Sequence, residues 1–347
     1  MTNLIGAGIF GCGGISENHL SAINSITGVE PILLFDIKKE RAEARAAQFG
    51  GTPAESFGQV LDDPRVKAVH ILTPHALHAG QALMSLSRGK YVLCEKPMAT
   101  TLADAKRLMR ADPEARRLCV IFQNRYNKST EMAKRIISEQ TYGKIITIKA
   151  EMTWHRDAQY YSDDWHGTQA LECGGVLINQ AIHTIDLMLY LGGAPEAVKG
   201  AVTTDLLEGV IEVEENAHAV VKFKSGIVGL LYASNSFGIS EKPTLRIVCE
   251  TGTLVLNGSD LLLERGSECN ILVRSEGTAT LGKAVYGDSH IHQISEFYRC
   301  IRNEEPFKIG AREAYNALWA VLSIYESSRT GRWVRYESID LSESTQM

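Results

Sequence analysis

The first third of the chain alternates short, continuously apolar segments with segments of helical periodicity. Predicted strands cover residues 5–10, 31–36, 68–73, 91–94 and 118–122. Predicted helices between them cover residues 16–26, 38–49, 77–88 and 102–110. Apolar strands separated by helices are typical of a parallel sheet covered on both faces. The pattern therefore predicts a doubly wound α/β domain of the Rossmann type over residues 1–123.

The pattern changes after residue 123. A predicted helix at 130–138 and a strand at 145–154 precede a helix that follows Gly174. At least five strands are predicted between residues 198 and 264, separated by turn signals such as Asn257-Gly258, and helices at 291–302 and 311–329 close the chain. Residues 124–347 are therefore predicted to form a second α/β domain with an antiparallel or mixed sheet, which the family resemblance described below implies to be large, open and mostly antiparallel.

Two glycine patterns overlap at the first predicted strand. Gly6 to Gly11 matches G-x-G-x-x-G, but almost no strand could precede it. The run Gly11-Cys12-Gly13-Gly14-Ile15-Ser16 follows the strand and opens a helix, which is the context of a dinucleotide loop. Backbone amides at a helix start bind a pyrophosphate. The alternative is a glycine-rich turn in an unrelated α/β fold.

Asp36 ends the second predicted strand, where a carboxylate can bind the ribose hydroxyls of a dinucleotide. A carboxylate at this place repels a 2′-phosphate, so NAD is expected rather than NADP. Lys38 and Lys39 follow closely and leave NADP as the less favoured cofactor. Asp36 could instead cap the helix that begins near Lys38.

Composition excludes several classes of protein. The chain has 347 residues and a net charge of −5, so it lacks the basic surplus of a general nucleic-acid binder. The apolar segment from Val176 to Leu191 contains Asn179, His183 and Asp186, which argues against a membrane span. Seven scattered cysteines without a Cys-x-x-Cys pair favour a reduced, cytoplasmic protein. Because no metal-ligand spacing recurs among the histidines, no metal is expected.

Glu95-Lys96-Pro97 follows a predicted parallel strand, at the edge where such sheets bind ligands. A lysine there can exchange a proton with a reacting hydroxyl, whereas a surface lysine is the ordinary alternative. Glu95 is expected to bind a cofactor or to orient Lys96. A cis peptide at Pro97 is a further possibility.

Polar side chains recur on the helix after Gly174-Gly175. On a regular helix, Asn179, His183, Asp186 and Tyr190 fall within an arc of roughly 60°. Buried polar groups need partners, so this stripe either pairs internally or lines a wet pocket. The predicted chemistry is proton transfer by Lys96 or His183, with Asp186 orienting His183 or a neighbouring hydroxyl.

Aromatic and polar residues alternate in the loop before this helix. His155, Trp165 and His166 suit carbohydrate binding, and Arg125 and Tyr126 are further candidates for substrate contact. The alternative is that these residues pack the loop or form an oligomer contact.

Several segments together resemble the glucose–fructose oxidoreductase and inositol dehydrogenase family (Gfo/Idh/MocA). They are Thr73-Pro74-His75-Ala76-Leu77-His78, Glu95-Lys96-Pro97, Gln123-Asn124-Arg125-Tyr126 and the stretch from Gly174 to Asp186. The resemblance implies that Lys96 is the catalytic lysine and that Asn179, His183 and Asp186 face the substrate. It also implies cofactor contacts from the glycine loop, Asp36, Thr73, Pro74, His75, His78, Glu95, Lys96 and Gln123, and a homo-oligomer built on the open sheet.

The chain departs from the common family pattern at two informative positions. Relatives often carry Asn where His75 stands and Asp where Asn179 stands. The Asn179-Gln180 variant resembles a subgroup of nucleotide-sugar and glycoside 3-dehydrogenases. The resemblance thus implies an NAD(P)-dependent oxidoreductase for a sugar, glycoside, nucleotide sugar or cyclitol. Two alternatives share the fold: a glycosidase that recycles NAD through transient oxidation, and a nucleotide-sensing regulator.

Overall fold

The computed structural model describes residues 4–275, 289–337 and 339. These residues form two compact units. The first unit contains the described residues up to Gln123 together with residues 289–314, and the second contains residues 124–275 and those from 315 onward.

The first unit contains a six-stranded sheet in the order β3-β2-β1-β4-β5-β6, in which every neighbouring pair is parallel. Its strands are β1 (Ile5–Phe10), β2 (Val29–Phe35), β3 (Thr52–Pro53), β4 (Val66–Ile71), β5 (Tyr91–Cys94) and β6 (Leu118–Val120). The intervening helices are α1 (Ser16–Ser25), α2 (Lys39–Phe49), α3 (Phe57–Asp62), α4 (His75–Ser87) and α5 (Leu102–Ala111). All six residues of β1 are buried, as expected for a central strand between two helical layers.

A late segment of the chain packs in the first unit. Helix α8 (Ser289–Asn303) donates a hydrogen bond from Gln293 Nε2 to the carbonyl of Val120 over 2.8 Å, and Phe122 N donates to Gln293 Oε1 over 3.1 Å. The sequence had assigned every residue after 123 to the second domain, and this is wrong for residues 289–314. Local periodicity shows that a helix forms but not which sheet it covers.

The second unit contains a nine-stranded sheet in the order β14-β13-β12-β11-β7-β10-β9-β8-β15. Its strands are β7 (Ile145–Thr153), β8 (Pro195–Thr203), β9 (Asn216–Phe223), β10 (Val228–Ser234), β11 (Thr244–Cys249), β12 (Thr253–Asn257), β13 (Asp260–Arg265), β14 (Glu268–Val273) and β15 (Val334–Arg335). The β7–β10 pair is parallel, and the other pairs are antiparallel. The predicted fold class is confirmed for both units.

Helices cover one face of this second sheet. They are α6 (Lys128–Ser138), α7 (Ile182–Gly192) and α9 (Ala311–Thr330). On β7, Ile148, Ala150 and Met152 are buried, whereas Lys149 between them is exposed. This alternation is that of a strand with one solvated face. Among the described helices, none is both long and apolar enough to cross a bilayer.

Candidate active site

The loop after β1 has the form of a dinucleotide loop. Gly6 and Gly8 lie inside β1, so the loop itself consists of residues 11–15. Gly11 has φ +90°, and a Cβ there would lie 2.6 Å from the carbonyl oxygen of Leu72. Gly13 and Gly14 face open space, and among the described residues no side chain caps the start of α1. The backbone at this helix start is therefore accessible to an anionic group.

Asp36 ties this loop to the end of β2. Its Oδ2 accepts a hydrogen bond from Cys12 N over 2.7 Å, and its Oδ1 accepts one from Lys38 N over 2.8 Å. Burial, and then the Asp36 charge, raise the pKa of the Cys12 thiol to about 12. Asp36 thus connects the glycine loop with Lys38, the residue before α2, and its contact with a ribose stays a prediction.

His78 holds together the chain after β4 and the chain after β5. Its Nδ1 lies 2.7 Å from the carbonyl oxygen of Pro97, and its Nε2 lies 2.6 Å from that of Thr73. Burial lowers the pKa of the imidazole. Because both ring nitrogens lie beside backbone carbonyls, His78 braces these two segments, and its cofactor contact stays a prediction. Thr73 is also held through its side chain, which donates to Gln81 Oε1 over 2.7 Å.

Glu95 is a buried carboxylate at the end of β5. Its Oε1 lies 3.2 Å from His19 Nε2 and 3.2 Å from His290 Nε2, while its Oε2 accepts from the Lys96 amide over 3.2 Å. Burial acts to raise the pKa of this carboxyl, but the two imidazole hydrogen bonds outweigh it and hold the pKa well below its usual value. Glu95 is therefore ionised. It adjoins half-buried Lys96, whose bond to Pro97 is cis.

His19, Glu95 and His290 form a possible metal-ligand group within the described part of the chain. The sequence could not reveal it, because these residues come from three distant segments. Both Nε2 atoms lie 3.2 Å from the same carboxylate oxygen, which is the geometry of two N–H donors to one acceptor. Both Nε2 atoms can thus be satisfied by Glu95, whereas His290 Nδ1 is buried without a hydrogen-bond partner among the described residues.

In the second unit, the helix after Gly174-Gly175 begins with a π-helical segment, Leu177–Ala181, and continues as α7. A Cβ on Gly175 would lie 1.9 Å from the carbonyl oxygen of Glu214, so the close approach requires glycine. The Glu214 carboxylate accepts from Gly175 N and Leu177 N over 2.8 and 2.9 Å. The regular-helix arc assumed for Asn179 and His183 does not describe this segment. Such π-turns often occur at functional sites.

Asn179 lies on the π-helical segment and is buried. Its Nδ2 donates to Oε1 of Glu172, another buried residue, whose Oε2 accepts from Gly167 N. Glu172 therefore fixes the orientation of the Asn179 amide. Glu172 was not predicted as a site residue, because the local sequence does not show that a carboxylate seven residues before Asn179 is its hydrogen-bond partner. His183, the second residue of α7, is half-buried.

Asp186 and Arg125 form a buried ion pair. Arg125 Nε donates to Asp186 Oδ2 over 2.8 Å, and its second nitrogen donates to Oδ1 over 2.5 Å. The guanidinium also lies 4.8 Å from the ring centre of Tyr190. Burial raises the pKa of the Asp186 carboxyl, although Arg125 acts to lower it. The sequence did not predict this pairing, and the roles expected for Asp186 beside His183 and for Arg125 at a substrate stay predictions.

The loop before the π-helical segment forms an aromatic cluster. The rings of Trp165 and His166 lie 3.8 Å apart, and Tyr160 lies 4.8 Å from His166. Gln180 Nε2 donates to the Tyr160 hydroxyl over 3.2 Å, which connects the cluster to the π-helical segment. Two of the predicted substrate residues are thus brought together. His155 is exposed just beyond β7, where it forms an isolated bridge with Ser236. Tyr126 ends a short 3-10 turn, Gln123–Tyr126, and is half-buried.

Two family descriptions match the chain. "Oxidoreductase family, NAD-binding Rossmann fold" matches residues 5–123, and "GFO/IDH/MocA C-terminal domain" matches residues 130–255. The chain therefore belongs to the GFO/IDH/MocA family and is an NAD-binding oxidoreductase. The open glycine loop and the carboxylate at the end of β2 fit that cofactor.

Individual relatives agree with this family. Levoglucosan dehydrogenase of Pseudarthrobacter phenanthrenivorans is 24% identical, over 87% of this chain and 88% of the relative. Glucose-6-phosphate 3-dehydrogenase of Bacillus subtilis is 28% identical, over 65% of this chain and 63% of the relative. The solved WlbA dehydrogenase of Bordetella pertussis, in complex with NADH and UDP-GlcNAcA, has a TM-score of 0.85 and 28% identity, over 97% of this chain and 99% of that one. The predicted family, enzyme class and cofactor NAD are confirmed.

Proposed function

We propose that this enzyme transfers a hydride between NAD and a secondary hydroxyl, or the corresponding ketone, of a sugar, glycoside, nucleotide sugar or cyclitol. The observation that carries the proposal is the placement of three loops in the first unit. Residues 11–15, 73–75 and 95–97 follow β1, β4 and β5, which are neighbours in one parallel sheet. Neighbouring strands lie about 4.8 Å apart, so the ends of β1 and β5 are separated by about 10 Å. The glycine loop and Lys96 thus share one ligand-binding edge.

The cofactor residues follow from this placement. Backbone amides of residues 11–15 would hold the pyrophosphate of the cofactor, and Asp36 would hold its adenosine ribose. Further contacts would come from Thr73, Pro74, His75, His78, Glu95, Lys96 and Gln123. Bound NAD supplies the hydride acceptor.

Lys96 moves the hydroxyl proton. In oxidation, the substrate C–H bond and O–H bond both break, a C=O bond forms, and the amine of Lys96 accepts the proton. In reduction, the ammonium returns that proton to the oxygen. The ionised Glu95 favours the protonated form of its neighbour, so it supports the proton-accepting step. His183 is the second candidate for this role.

The second unit supplies the substrate contacts. Trp165 and His166 offer aromatic rings tilted by 36° to each other, and Asn179 and His183 offer hydrogen bonds, a combination that suits a hydroxylated ring. Tyr126 and exposed His155 are further contacts in this proposal. The levoglucosan, glucose-6-phosphate and UDP-GlcNAcA in the names of relatives are all carbohydrates, which supports this substrate class.

A coupled spectrophotometric screen tests the function. The purified enzyme is incubated with NAD and, in separate assays, with hexoses, inositols, glycosides and nucleotide sugars. NADH formation is followed by absorbance. At least one carbohydrate is expected to give sustained NADH formation that depends on its concentration. Release of an aglycone without net NADH would instead identify a redox-neutral glycosidase. The absence of both signals, together with tight binding to a protein partner, would identify a regulator.

Asp36 is proposed to determine the preference for NAD. Replacing Asp36 with asparagine keeps an acceptor for the Cys12 amide but removes the charge that would repel a 2′-phosphate. Such a charge contact is worth about 1–2 kcal/mol near a protein surface, so the ratio of kcat/KM for NADP to that for NAD is expected to rise about tenfold or more. Initial rates with both cofactors measure this ratio. A ratio equal to that of the wild-type enzyme would contradict the assignment.

The uncovered sheet face is proposed to build a homo-oligomer. Val228, Leu230 and Tyr232 alternate on β10 with their side chains exposed, and Leu230 is 49% exposed. Leu230 pairs with Val220 on β9, so the apolar surface continues across strands. Two copies of such a face can pack against each other about a two-fold axis.

We expect Leu230→Glu to shift the protein to smaller species in sedimentation velocity. Leu206→Glu, at an exposed leucine in the loop between β8 and β9, is the control and is expected to keep the wild-type distribution. Wild-type sedimentation as a monomer would contradict the proposal.

A reducing compartment is proposed for the enzyme. All seven cysteines are free, and five of them are buried. The cytoplasm keeps thiols in this state, and cell fractionation tests the location. The net negative charge supports a function without nucleic acid as a partner.

A further inference from the structure

A chain of buried hydrogen bonds runs through the first unit and ends at Glu95. The Tyr298 hydroxyl on α8 lies 2.7 Å from His70 Nε2 on β4. His70 Nδ1 lies 2.8 Å from His19 Nδ1 on α1, and His19 Nε2 lies 3.2 Å from Glu95 Oε1. Tyr298, His70 and His19 are fully buried. We name Tyr298, His70 and His19 the buried relay.

The chemistry of these groups fixes the direction of every hydrogen bond in the relay. Burial lowers the pKa of both imidazoles and raises the pKa of the Tyr298 hydroxyl, so the rings are neutral and the hydroxyl keeps its proton. Ionised Glu95 can only accept, so His19 carries its proton on Nε2. His19 Nδ1 must then accept from His70 Nδ1–H, and His70 Nε2 must accept from Tyr298. Each buried polar atom of the relay is satisfied by this one arrangement.

Packing holds the relay in place. The His70 ring stacks on Tyr298 at 5.7 Å and meets the edge of Phe297 at 5.9 Å. A buried imidazole in the centre of a parallel sheet is costly unless both nitrogens are bonded, and here both have partners. Leucine or valine at position 70 would fill this buried position of β4 without needing any hydrogen-bond partner. The polar residue therefore needs an explanation beyond folding.

We propose that the buried relay holds Glu95 ionised and oriented beside Lys96, so that Tyr298, His70 and His19 are positioning residues for the proton transfer. This inference rests on the proposed function, in which Lys96 exchanges the hydroxyl proton. Glu95 connects the buried relay with Lys96, because its Oε2 accepts a hydrogen bond from the backbone N–H of Lys96. A carboxylate with a fixed charge at this point favours proton uptake by the neighbouring amine.

Other groups around Glu95 are consistent with this role. His290 on α8 donates to the same oxygen as His19, and His78 on α4 and Cys94 on β5 also lie within electrostatic reach. Burial raises the pKa of Cys94, which stays a neutral thiol. The relay and His290 thus supply the two hydrogen bonds that oppose the burial of the Glu95 charge.

The protonation pattern can be measured without any assay of activity. In protein labelled with ¹⁵N at histidine, the His19 signal is expected to be that of an Nε2–H ring and the His70 signal that of an Nδ1–H ring. Neither is expected to titrate between pH 5.5 and 9. Tyr298→Phe is expected to shift the His70 signal, while Tyr315→Phe, at another buried tyrosine in the second unit, leaves it unchanged.

A pair of variants at His19 tests the positioning role. The amide of His19→Gln can donate to Glu95 and accept from His70, whereas His19→Leu can do neither. Loss of a donor raises the pKa of Glu95, so the acid limb of log kcat/KM is expected to move to higher pH in His19→Leu. At pH 5.5 the loss relative to wild type is expected to be about tenfold greater than at pH 8. His19→Gln is expected to restore most of the wild-type profile.

Different results would overturn the inference. A His19 or His70 ring that titrates near pH 6.5 would show that the relay does not exist as assigned. An unprotonated His19 Nε2 whose signal changes on treatment with a chelator would show a metal site instead. Equal pH profiles for His19→Leu and His19→Gln would leave the relay a structural feature only. The NMR result holds whether or not Lys96 is catalytic, so failure of the relay and failure of the proposed function are distinguishable.

Discussion

Lys96→Ala is expected to lower kcat by roughly 100- to 10,000-fold, the range by which a positioned general acid or base accelerates proton transfer. The reason is that removal of the amine leaves the substrate hydroxyl without the proposed proton acceptor. Because backbone amides of the glycine loop and Asp36 supply most of the proposed cofactor contacts, the dissociation constant for NADH is expected to change little. Steady-state kinetics and NADH fluorescence titration measure the two quantities.

Two further variants distinguish the loss of proton transfer from the loss of a positive charge and from a non-specific loss of activity. Lys96→Arg keeps a positive charge, but its guanidinium cannot release a proton, so it is expected to be nearly as impaired as Lys96→Ala. Lys67→Ala removes an exposed lysine from β4 of the same sheet and is expected to keep wild-type turnover. Substantial turnover in Lys96→Arg would mean that the residue acts through its charge. Wild-type turnover in Lys96→Ala would remove Lys96 from the mechanism.

The local features of the first unit were predictable from the sequence. A dinucleotide loop must follow a strand and open a helix, and this rule selected Gly11 over Gly6 as its first residue. The strand-end positions of Asp36 and Lys96 followed from the same alternation of strands and helices. Strands β12 and β14 of the second sheet were missed, because each is short and lies within a few residues of a neighbouring strand.

Contacts between distant segments were not predictable. The relay joins Tyr298, His70 and His19, which lie in α8, β4 and α1, and no spacing along the chain links them. The pairing of Asp186 with Arg125 was missed for the same reason, since a helical arc orders side chains on one helix and does not identify partners from other segments. Which polar residues form hydrogen bonds with each other depends on how distant segments pack in the fold, and local sequence does not show this.

Arg125→Met is expected to destabilise the protein by about 3–5 kcal/mol, because it leaves the Asp186 carboxylate buried without its partner. The side chains of Arg125 and Asp186 are 8% and 2% exposed, so water cannot replace the lost hydrogen bonds. The thermal midpoint is expected to fall by roughly 10 °C, measured by calorimetry. Arg335→Met is the control. Its ion pair with Glu196 is solvent-exposed and is expected to contribute less than about 1 kcal/mol.

The pH dependence of the loss identifies its cause. Burial already raises the pKa of Asp186, and without Arg125 nothing opposes this effect. The folded state then binds a proton that the unfolded state releases, so stability falls as pH rises from the ordinary carboxyl range towards neutrality. The deficit of Arg125→Met relative to wild type is therefore expected to be smallest at acid pH and largest at neutral pH.

The double variant Arg125→Met/Asp186→Leu provides the decisive comparison. Removal of both charges leaves apolar side chains in place of a desolvated pair, a change that is often neutral or stabilising. The double variant is expected to recover most of the stability that Arg125→Met loses, and its stability deficit should no longer depend on pH. If it retains wild-type kcat, Asp186 has no part in the chemistry and serves only to hold Arg125. A double variant less stable than Arg125→Met would show that the pair stabilises the second unit through its hydrogen bonds rather than through charge neutralisation.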